Sequence, residues 1–564
     1  MTKQRTSISE KLGRTRKAFV AVGLISCVVN LLMLTGPLFM LQVYDRVLSS
    51  RSVSTLTALL LLAVGLYMMM GLFDLLRTRI LSRVAYWLDN ELSPLTYRSW
   101  IARSIGGHSP AYRPIQDIGI VRGLISSPTI LALFDLPWVP FYLGVIFLLH
   151  MQLGLLASAG ALIVIILALL NEAWSSKAAG AAAQGDMLEA RFADQAQKSA
   201  DSVLSMGMLG NTQSIWSDLR RNALFYQQSG GERSEGFTAT SKAFRLLLQS
   251  AILALGAYLA IHQEISAGMI VAASIIAGRA LAPIDQTIGG WRMIKRAWLA
   301  YKRLQEYLGK DTGATHSNID LPEPEGFLEV SSLRKHTPNS QADEEKRAIL
   351  QGLNFSLKPG DGLGVIGPSA SGKSSLAKLL VGLWSPDAGT VRLDGATFEQ
   401  WDMDRLGKYI GYLPQHVALL PGTIAQNIAR FDAHAKDSEV IEAAKLAGVH
   451  DMILSFPEGY GTNVDTALSP LTGGQTQRIA LARAIFRKPK LIVLDEPNAN
   501  LDQDGDTALG AAIRAMRTSG SVVIVMAHRP SAIAAVDKVL MLRDGHMAAF
   551  GSKNDVLSKV TRVA

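Results

Sequence analysis

The stretch GVIGPSASGKSS, Gly364 to Ser375, decides how the second half of this chain folds. Gly367 to Ser374 fits G-x-x-x-x-G-K-[ST], follows an apolar run and opens a helical pattern, the context in which this spacing makes a phosphate-binding loop. Gly367 and Gly372 let backbone N–H groups turn inward along Pro368, Ser369, Ala370 and Ser371, and the helix opening at Lys373, Ser374 and Ser375 adds its positive end. Lys373 is expected to meet the β- and γ-phosphates, and Ser374 to ligate Mg²⁺. Downstream, KLIVLDEP (Lys490 to Pro497) reads as an apolar strand ending in two carboxylates. Asp495 is placed to hold Mg²⁺ and Glu496 to polarise an attacking water. Phosphoryl transfer needs mainly positioning and charge neutralisation, which Lys373, Ser374, Asp495 and Glu496 supply.

Around these motifs, FLEVSSL, GLGVIG, LIVLDEP and SVVIVMAH alternate with helical patterns, which predicts an α/β domain over 327–564 with a largely parallel sheet. Thr337 to Arg347 (TPNSQADEEKR) reads as a polar hairpin insertion. Residues 309–326 (GKDTGATHSNIDLPEPEG) are rich in Gly, Pro and acid and read as a linker.

Upstream of the linker the composition changes. The chain of 564 residues exceeds what one core organises, and it is 49% hydrophobic but only 18% charged, the apolar excess lying before about residue 290. Stretches long enough to span a bilayer occur at about 19–43, 55–76, 131–150, 153–172, 246–262 and 267–289. They predict a six-helix, all-α transmembrane domain over 19–308, preceded by a short cytoplasmic segment, 1–18. Basic residues follow spans two (Arg77, Arg79, Arg83) and six (Arg292, Lys295, Arg296, Lys302, Arg303) and fill the N-terminal tail, so both termini are expected in the cytoplasm. The run 19–43 is too long for a signal-peptide core and is read as a retained helix. The connections 77–130 and 173–245 continue helical patterns and should project beyond the membrane. Pro37, Pro137, Pro140 and Pro283 fall in or beside spans as static kinks or hinges. The net charge of +9 comes without a basic groove interleaved with aromatics, so nucleic acid is not an expected partner. Cys27 alone builds neither a disulfide framework nor a cysteine metal site.

Three further segments narrow the class. LTGGQTQRIALARA (Leu471 to Ala484) joins a Gly-Gly helix start to a basic helix, YLPQ puts Gln415 at a strand end, and MAH puts His528 after another. Together they resemble the ATP-binding cassette (ABC) family over 327–555. The resemblance implies that Thr472, Gly473, Gly474 and Gln475 of one subunit contact the γ-phosphate of ATP held by the other. It further implies that Gln415 senses Mg²⁺ and the membrane domain, that His528 steadies the γ-phosphate and water, and that Asp502 of NANLD lies at the dimer seam. Two departures stand out: Thr472 replaces the signature's usual serine, and SSLRKHTP offers no stacking aromatic for adenine, leaving His336, beside Thr337, as a substitute.

In the membrane half, Leu34 to Leu59, FDLPWVPFY (Phe134 to Tyr142) and Glu264 to Arg292 resemble the type I protein-secretion ATPases of the PrtD-like protease and lipase exporter subfamily. That resemblance implies an ATPase of the Gram-negative inner membrane, a homodimer that docks a periplasmic membrane-fusion adaptor and a TolC-type outer-membrane channel. Its implied cargo is an unfolded protein with an uncleaved C-terminal signal, of protease, lipase or glycine-rich calcium-repeat type. With about eighteen residues before span one, a peptidase-like N-terminal domain is not expected. Turns near 105–125 and 204–215 are the implied coupling elements. An exporter of lipids or small amphipathic molecules with the same architecture is the first alternative, and a DNA-associated or structural ATPase the second; six spans in cis oppose the latter. Arg279, inside span six, is expected either to line a polar translocation path or to snorkel or pair with a carboxylate such as Asp135. The triplet Met68, Met69, Met70 reads as lipid-facing or packing surface.

Overall fold

The computed structural model of the chain describes residues 8–104, 113–309, 321–337, 348–464, 471–499, 501–527 and 533–561. The chain divides into two compact units, Met1–Ala102 with Ser109–Asp311, and Arg103–His108 with Thr312–Ala564.

The first unit is helical. Six segments among the described residues are long and apolar enough to cross a membrane: Thr15–Ser50, Val53–Arg103, Pro128–Leu149, Met151–Trp174, Leu209–Ile261 and Ala267–Leu308. The first is interrupted. Helix α1 (Ile8–Leu32) ends where Pro37 has no N–H to offer Met33; α2 (Thr35–Gln42) follows and then a π turn at Val43–Val47. Span three is likewise broken, because Pro137 and Pro140 withdraw donors in succession. It reads as α4 (Pro128–Asp135), a 3₁₀ turn at Leu136–Trp138 and α5 (Val139–Leu149), once span two has been named α3 (Val53–Ser104). Pro283, by contrast, stays inside a continuous α8 (Ala267–Gly309), where the Thr287 hydroxyl donates to the Pro283 carbonyl at 2.7 Å. Between them, α6 (Met151–Lys198) and α7 (Leu209–Ile261) run for 48 and 53 residues. At 1.5 Å per residue each is about 70–80 Å long against a hydrocarbon core of about 30 Å, so both project far beyond it.

A buried ionic cluster ties the first spans together. Arg77 on α3 donates to Ser26 of α1 at 3.1 Å and to Asp135 of α4 at 3.0 Å, with Asp74 bound on its other side at 2.8 Å. Asn30 donates to Asp135 at 2.7 Å, and Tyr142 of α5 donates to the Asn30 carbonyl at 2.8 Å. Asp135 is therefore taken by Arg77 and Asn30, not by Arg279, which corrects the pairing considered above. Arg279 itself is exposed on α8, and Asp285 receives Ser241 and Arg245 of α7 at 2.7 and 3.2 Å. At the other end of the bundle, Asp45, presented by the π turn, accepts from the Ser266 hydroxyl at 2.6 Å and the Gly268 N–H at 2.9 Å, capping α8 from outside. Met68 and Met69 are exposed among Leu60, Leu61 and Leu62 on α3, as a lipid-facing surface requires.

The second unit is α/β. Strands β1 (Leu328–His336), β2 (Ala348–Leu357) and β4 (Ala388–Leu393) form an antiparallel sheet with the short strand Ala396–Thr397. The β1–β2 pairing brackets the polar segment 337–347, most of which lies outside the described residues, as does most of the 309–326 linker. A six-stranded sheet holds β3 (Gly362–Ile366), β5 (Ile410–Leu413), β6 (Leu491–Asp495), β7 (Val522–Met526), β8 (Lys538–Arg543) and β9 (His546–Ser552) in the order β9-β8-β3-β7-β6-β5. Strands β3, β5, β6, β7 and β8 are parallel. LIVLD and VVIVM are buried along their whole length, as strands covered on both faces must be.

Candidate functional site

Parallel strands deliver their C-terminal ends to one edge of the sheet, where open α/β sheets bind ligands. Here β3 leads into the phosphate loop and α9 (Lys373–Leu380), while its neighbour but one, β6, ends at Asp495. The loop packs too closely for side chains at two positions. A Cβ on Gly367 (φ 157°) would overlap the Leu542 carbonyl, and one on Gly372 (φ 101°) would sit 2.7 Å from a Leu350 methyl. Pro368, Ser369 and Ala370 form the exposed crest, Ala370 in the left-handed region at φ 64°; Ser371, Gly372 and Lys373 lie beneath it and Ser374 and Ser375 are half-buried.

The Lys373 ammonium donates to the carbonyls of Gly367 and Pro368, each at 2.9 Å, and burial lowers its pKa against the pull of Glu496 and Asp495. The Ser374 hydroxyl donates to Asp495 at 3.3 Å. Burial, aided by Glu496, raises the Asp495 carboxyl above its ordinary range, although the Ser374 hydrogen bond opposes it. Burial above all pushes the neighbouring Tyr412 hydroxyl up to about 12, with Asp495 adding to it. Glu496 adopts φ 52°, a conformation uncommon for a residue with a side chain, and accepts from the Gln415 amide at 3.2 Å. The structure thus gathers Lys373, Ser374, Asp495, Glu496 and Gln415 around one spot. Two buried polar atoms there, the Ser371 hydroxyl and the Asn498 amide nitrogen, find no hydrogen-bond partner among the described residues.

Mg²⁺ prefers oxygen donors and usually takes one or two carboxylates, completing its shell with waters and substrate phosphates. Ser374, Asp495 and the side-chain oxygen of Gln415 fit that pattern. Among the described residues, no group of three or more His, Cys, Asp or Glu that could hold a metal ion is found.

The signature segment opens α10 (Gly473–Ile485). Thr472 is its N-cap: its hydroxyl accepts from the Gln475 N–H at 3.3 Å, and the Gln475 side chain accepts from the Thr472 N–H at 2.9 Å. In both bonds the side-chain oxygen accepts, so the cap uses neither the Thr472 hydroxyl nor the Gln475 amide nitrogen as a donor, and the first-turn N–H groups of Gly473 and Gly474 have no intrahelical acceptors. Asp502 caps α11 (Gln503–Thr518) through the Gly505 N–H at 2.8 Å. His336 is held by Asp387, to its N–H at 2.7 Å and its ring at 2.9 Å, and pairs across the sheet with Ala348, next to Ile349, whose carbonyl meets Gly372. Burial alone would raise Asp387, but hydrogen bonds from Lys335 and His336 hold it at about 2. His528 lies outside the described residues, as do 105–112 of the first coupling stretch. One contributor escaped sequence reasoning. Gln477 of α10 is buried and donates to the Pro497 carbonyl at 2.6 Å, fixing the chain just beyond Glu496. An uncharged residue in a basic helix gave no signal.

A family model described as ABC transporter matches residues 350–499. The type I secretion system ATP-binding protein PrsD of Rhizobium meliloti (strain 1021) is 45% identical over 551 residues, 97% of this chain and 93% of that protein. The alpha-hemolysin translocation ATP-binding protein HlyB of Escherichia coli is 27% identical, over 96% of this chain and 77% of its own. A bacterial Atm1-family ABC exporter, solved with ATP bound, has the same fold, with a TM-score of 0.83 over 97% of this chain and 96% of that one at 22% identity. These relatives do not favour the alternative of a lipid or small-molecule exporter.

Proposed function

The chain belongs to the ATP-binding proteins of type I secretion systems, and from that premise we propose that it drives an unfolded protein with a C-terminal signal out of the cell. It is an ATP-binding ABC transporter and a multi-pass membrane protein. The observation that supports the cargo reading is the 45% identity to a type I secretion protein, which runs through the membrane unit as well as the cassette.

In the proposed reaction Lys373 and the loop amides neutralise the β- and γ-phosphates. Ser374, Asp495 and Gln415 would hold Mg²⁺, which supplies charge neutralisation when bound. Glu496 orients and polarises the attacking water, and Gln415, bonded to it, keeps its carboxylate aimed. Pro497, anchored by Gln477, fixes the strained backbone that presents Glu496. His528 would steady the γ-phosphate. The amides of Gly473 and Gly474 in one subunit would close on the ATP of the other, with Thr472 and Gln475 shaping the helix start and Asp502 at the seam, which makes the working unit a homodimer. His336 would lie against adenine. Both termini are assigned to the cytoplasm and the spans to the inner membrane, where a periplasmic adaptor and a TolC-type channel would complete the route. Arg279, exposed on an intramembrane helix, would line the polar path; labelling of Arg279→Cys from lipid but not from water would overturn that assignment.

The test of the cargo is direct. Reconstituted protein should change its ATPase rate when given a C-terminal signal peptide from a candidate secreted protein encoded beside it, and not with a scrambled peptide. Equal response to both would sink the protein-cargo reading.

A further inference from the structure

Helix α10 is held differently at its two ends. At the C-terminal end the Arg430 guanidinium donates to the Arg483 and Ala484 carbonyls at 2.9 and 3.0 Å, and to the Gly407 and Ile410 carbonyls at 2.7 and 3.0 Å. The end of the helix is thereby fastened to β5 and the residues before it. At the first turn the tie is Gln477. Its buried NH₂ group donates to the Pro497 carbonyl at 2.6 Å and reaches the Glu496 carbonyl at 3.3 Å, and an amide NH₂ carries the two donors this needs. From the opposite side the Glu496 N–H donates to the Met526 carbonyl of β7 at 3.1 Å. Glu496, with its backbone at φ 52°, is thus suspended between a strand and the start of α10. A sparsely populated backbone conformation is a place where a small pull selects between alternatives. Gln477 follows Gly473 and Gly474 by four and three residues. It therefore sits about one turn, roughly 6 Å, behind their amides and moves with them.

In the homodimer of the proposed reaction, on which this inference rests, Gly473 and Gly474 of one subunit close on the ATP held by the other, whereas Glu496 of that same subunit serves its own ATP. Gln477 therefore joins two different sites within one chain. We propose that Gln477 is a positioning residue that couples the two ATP sites of the dimer. When the start of α10 is drawn onto the ATP of one site, the helix turn carries Gln477 with it. Through the Pro497 and Glu496 carbonyls that movement re-aims Glu496 in the other site, so a filled site promotes hydrolysis in its companion.

The test uses full-length mixed dimers in lipid vesicles, the two copies carrying different tags, with phosphate release counted from γ-labelled ATP. The reporter copy keeps Glu496. Its companion carries either Glu496→Gln, so that its own site holds ATP without turning it over, or Lys373→Ala, so that its site stays empty. The ratio of turnover in the first dimer to that in the second measures how far a filled site promotes hydrolysis in the other, and it should be well above one. Gln477→Met in the reporter, which keeps the length of the side chain and removes its donors, should lower the ratio about fivefold, the effect of losing one hydrogen bond. Gln477→Leu should do the same. Either change in the companion should leave the ratio as it was, because that link leads to the site that does not turn over. If Gln477 merely props Glu496 within its own site, turnover falls in both dimers alike and the ratio stays, which overturns the proposal. A ratio of one with Gln477 in place overturns it too. Gly474→Asp in the companion should stop turnover by the reporter. Continued turnover would mean that the sites are not shared between subunits, and the composite-site reading would fall together with this inference, an outcome distinct from an unchanged ratio.

Discussion

The two units treat buried ionic groups in opposite ways. In the membrane unit, Arg77 and Asp135 are enclosed with Ser26, Asn30 and Tyr142, the exposed Asp74 closing on Arg77 from outside, and each contributes a hydrogen bond to the cluster. In the cassette, Ser371 and Asn498 stay unmatched, Glu496 sits in a strained conformation and Asp495 carries a pKa raised by burial. A closed network fixes helices against one another; an open one is completed by a ligand. Burial of charge alone therefore does not mark a site.

That contrast can be broken at several points. The largest effect is expected at the open network, where Glu496→Gln should slow ATP hydrolysis by about 10²- to 10⁴-fold while ATP binding persists. Retained turnover would move the polarising role elsewhere. Next comes the closed network. Arg77→Ala should destabilise the membrane unit by about 3–5 kcal/mol, because Asp135 is left buried without its cation, and Arg77→Met with Asp135→Leu should recover most of the loss. Thermal unfolding in detergent would show it, and equal damage from the double variant would mean that the cluster does more than pin helices.

A third prediction concerns sign. A carboxyl raised above its ordinary pKa penalises the ionised form in the fold, a cost present at neutral pH and relieved as the pH falls through the raised value. Asp495→Asn should therefore raise the Tm of the nucleotide-free protein at pH 7, the gain shrinking on acidification, while Mg²⁺-dependent ATP binding weakens. A lower Tm at pH 7 would reverse the reading. The smallest effect belongs to Thr472. Thr472→Ala removes the α10 cap at about 1 kcal/mol of stability, and Thr472→Ser restores it, since the oxygen does the capping.

The sequence made some of this visible and concealed the rest for identifiable reasons. Lys373, Ser374, Asp495 and Glu496 are legible because a loop motif and a strand end fix both their spacing and their surroundings. The six spans are legible because lipid demands long apolar runs. The break at Met33–Leu34 is written in Pro37, yet Pro283 sits in an unbroken helix, so proline alone does not say which outcome packing will choose. The Arg77–Asp135 pair joins residues 58 apart in sequence, and no local pattern prefers it to Arg279. Glu496's left-handed backbone and Gln477's grip on Pro497 are tertiary facts without a residue-type signature.

The length of α6 and α7 has a consequence of leverage. A rod about 70 Å long converts each degree of tilt at one end into roughly 1.2 Å of travel at the other. A tilt of about two or three degrees at one end of such a rod would thus become a displacement about the length of a hydrogen bond at the tip.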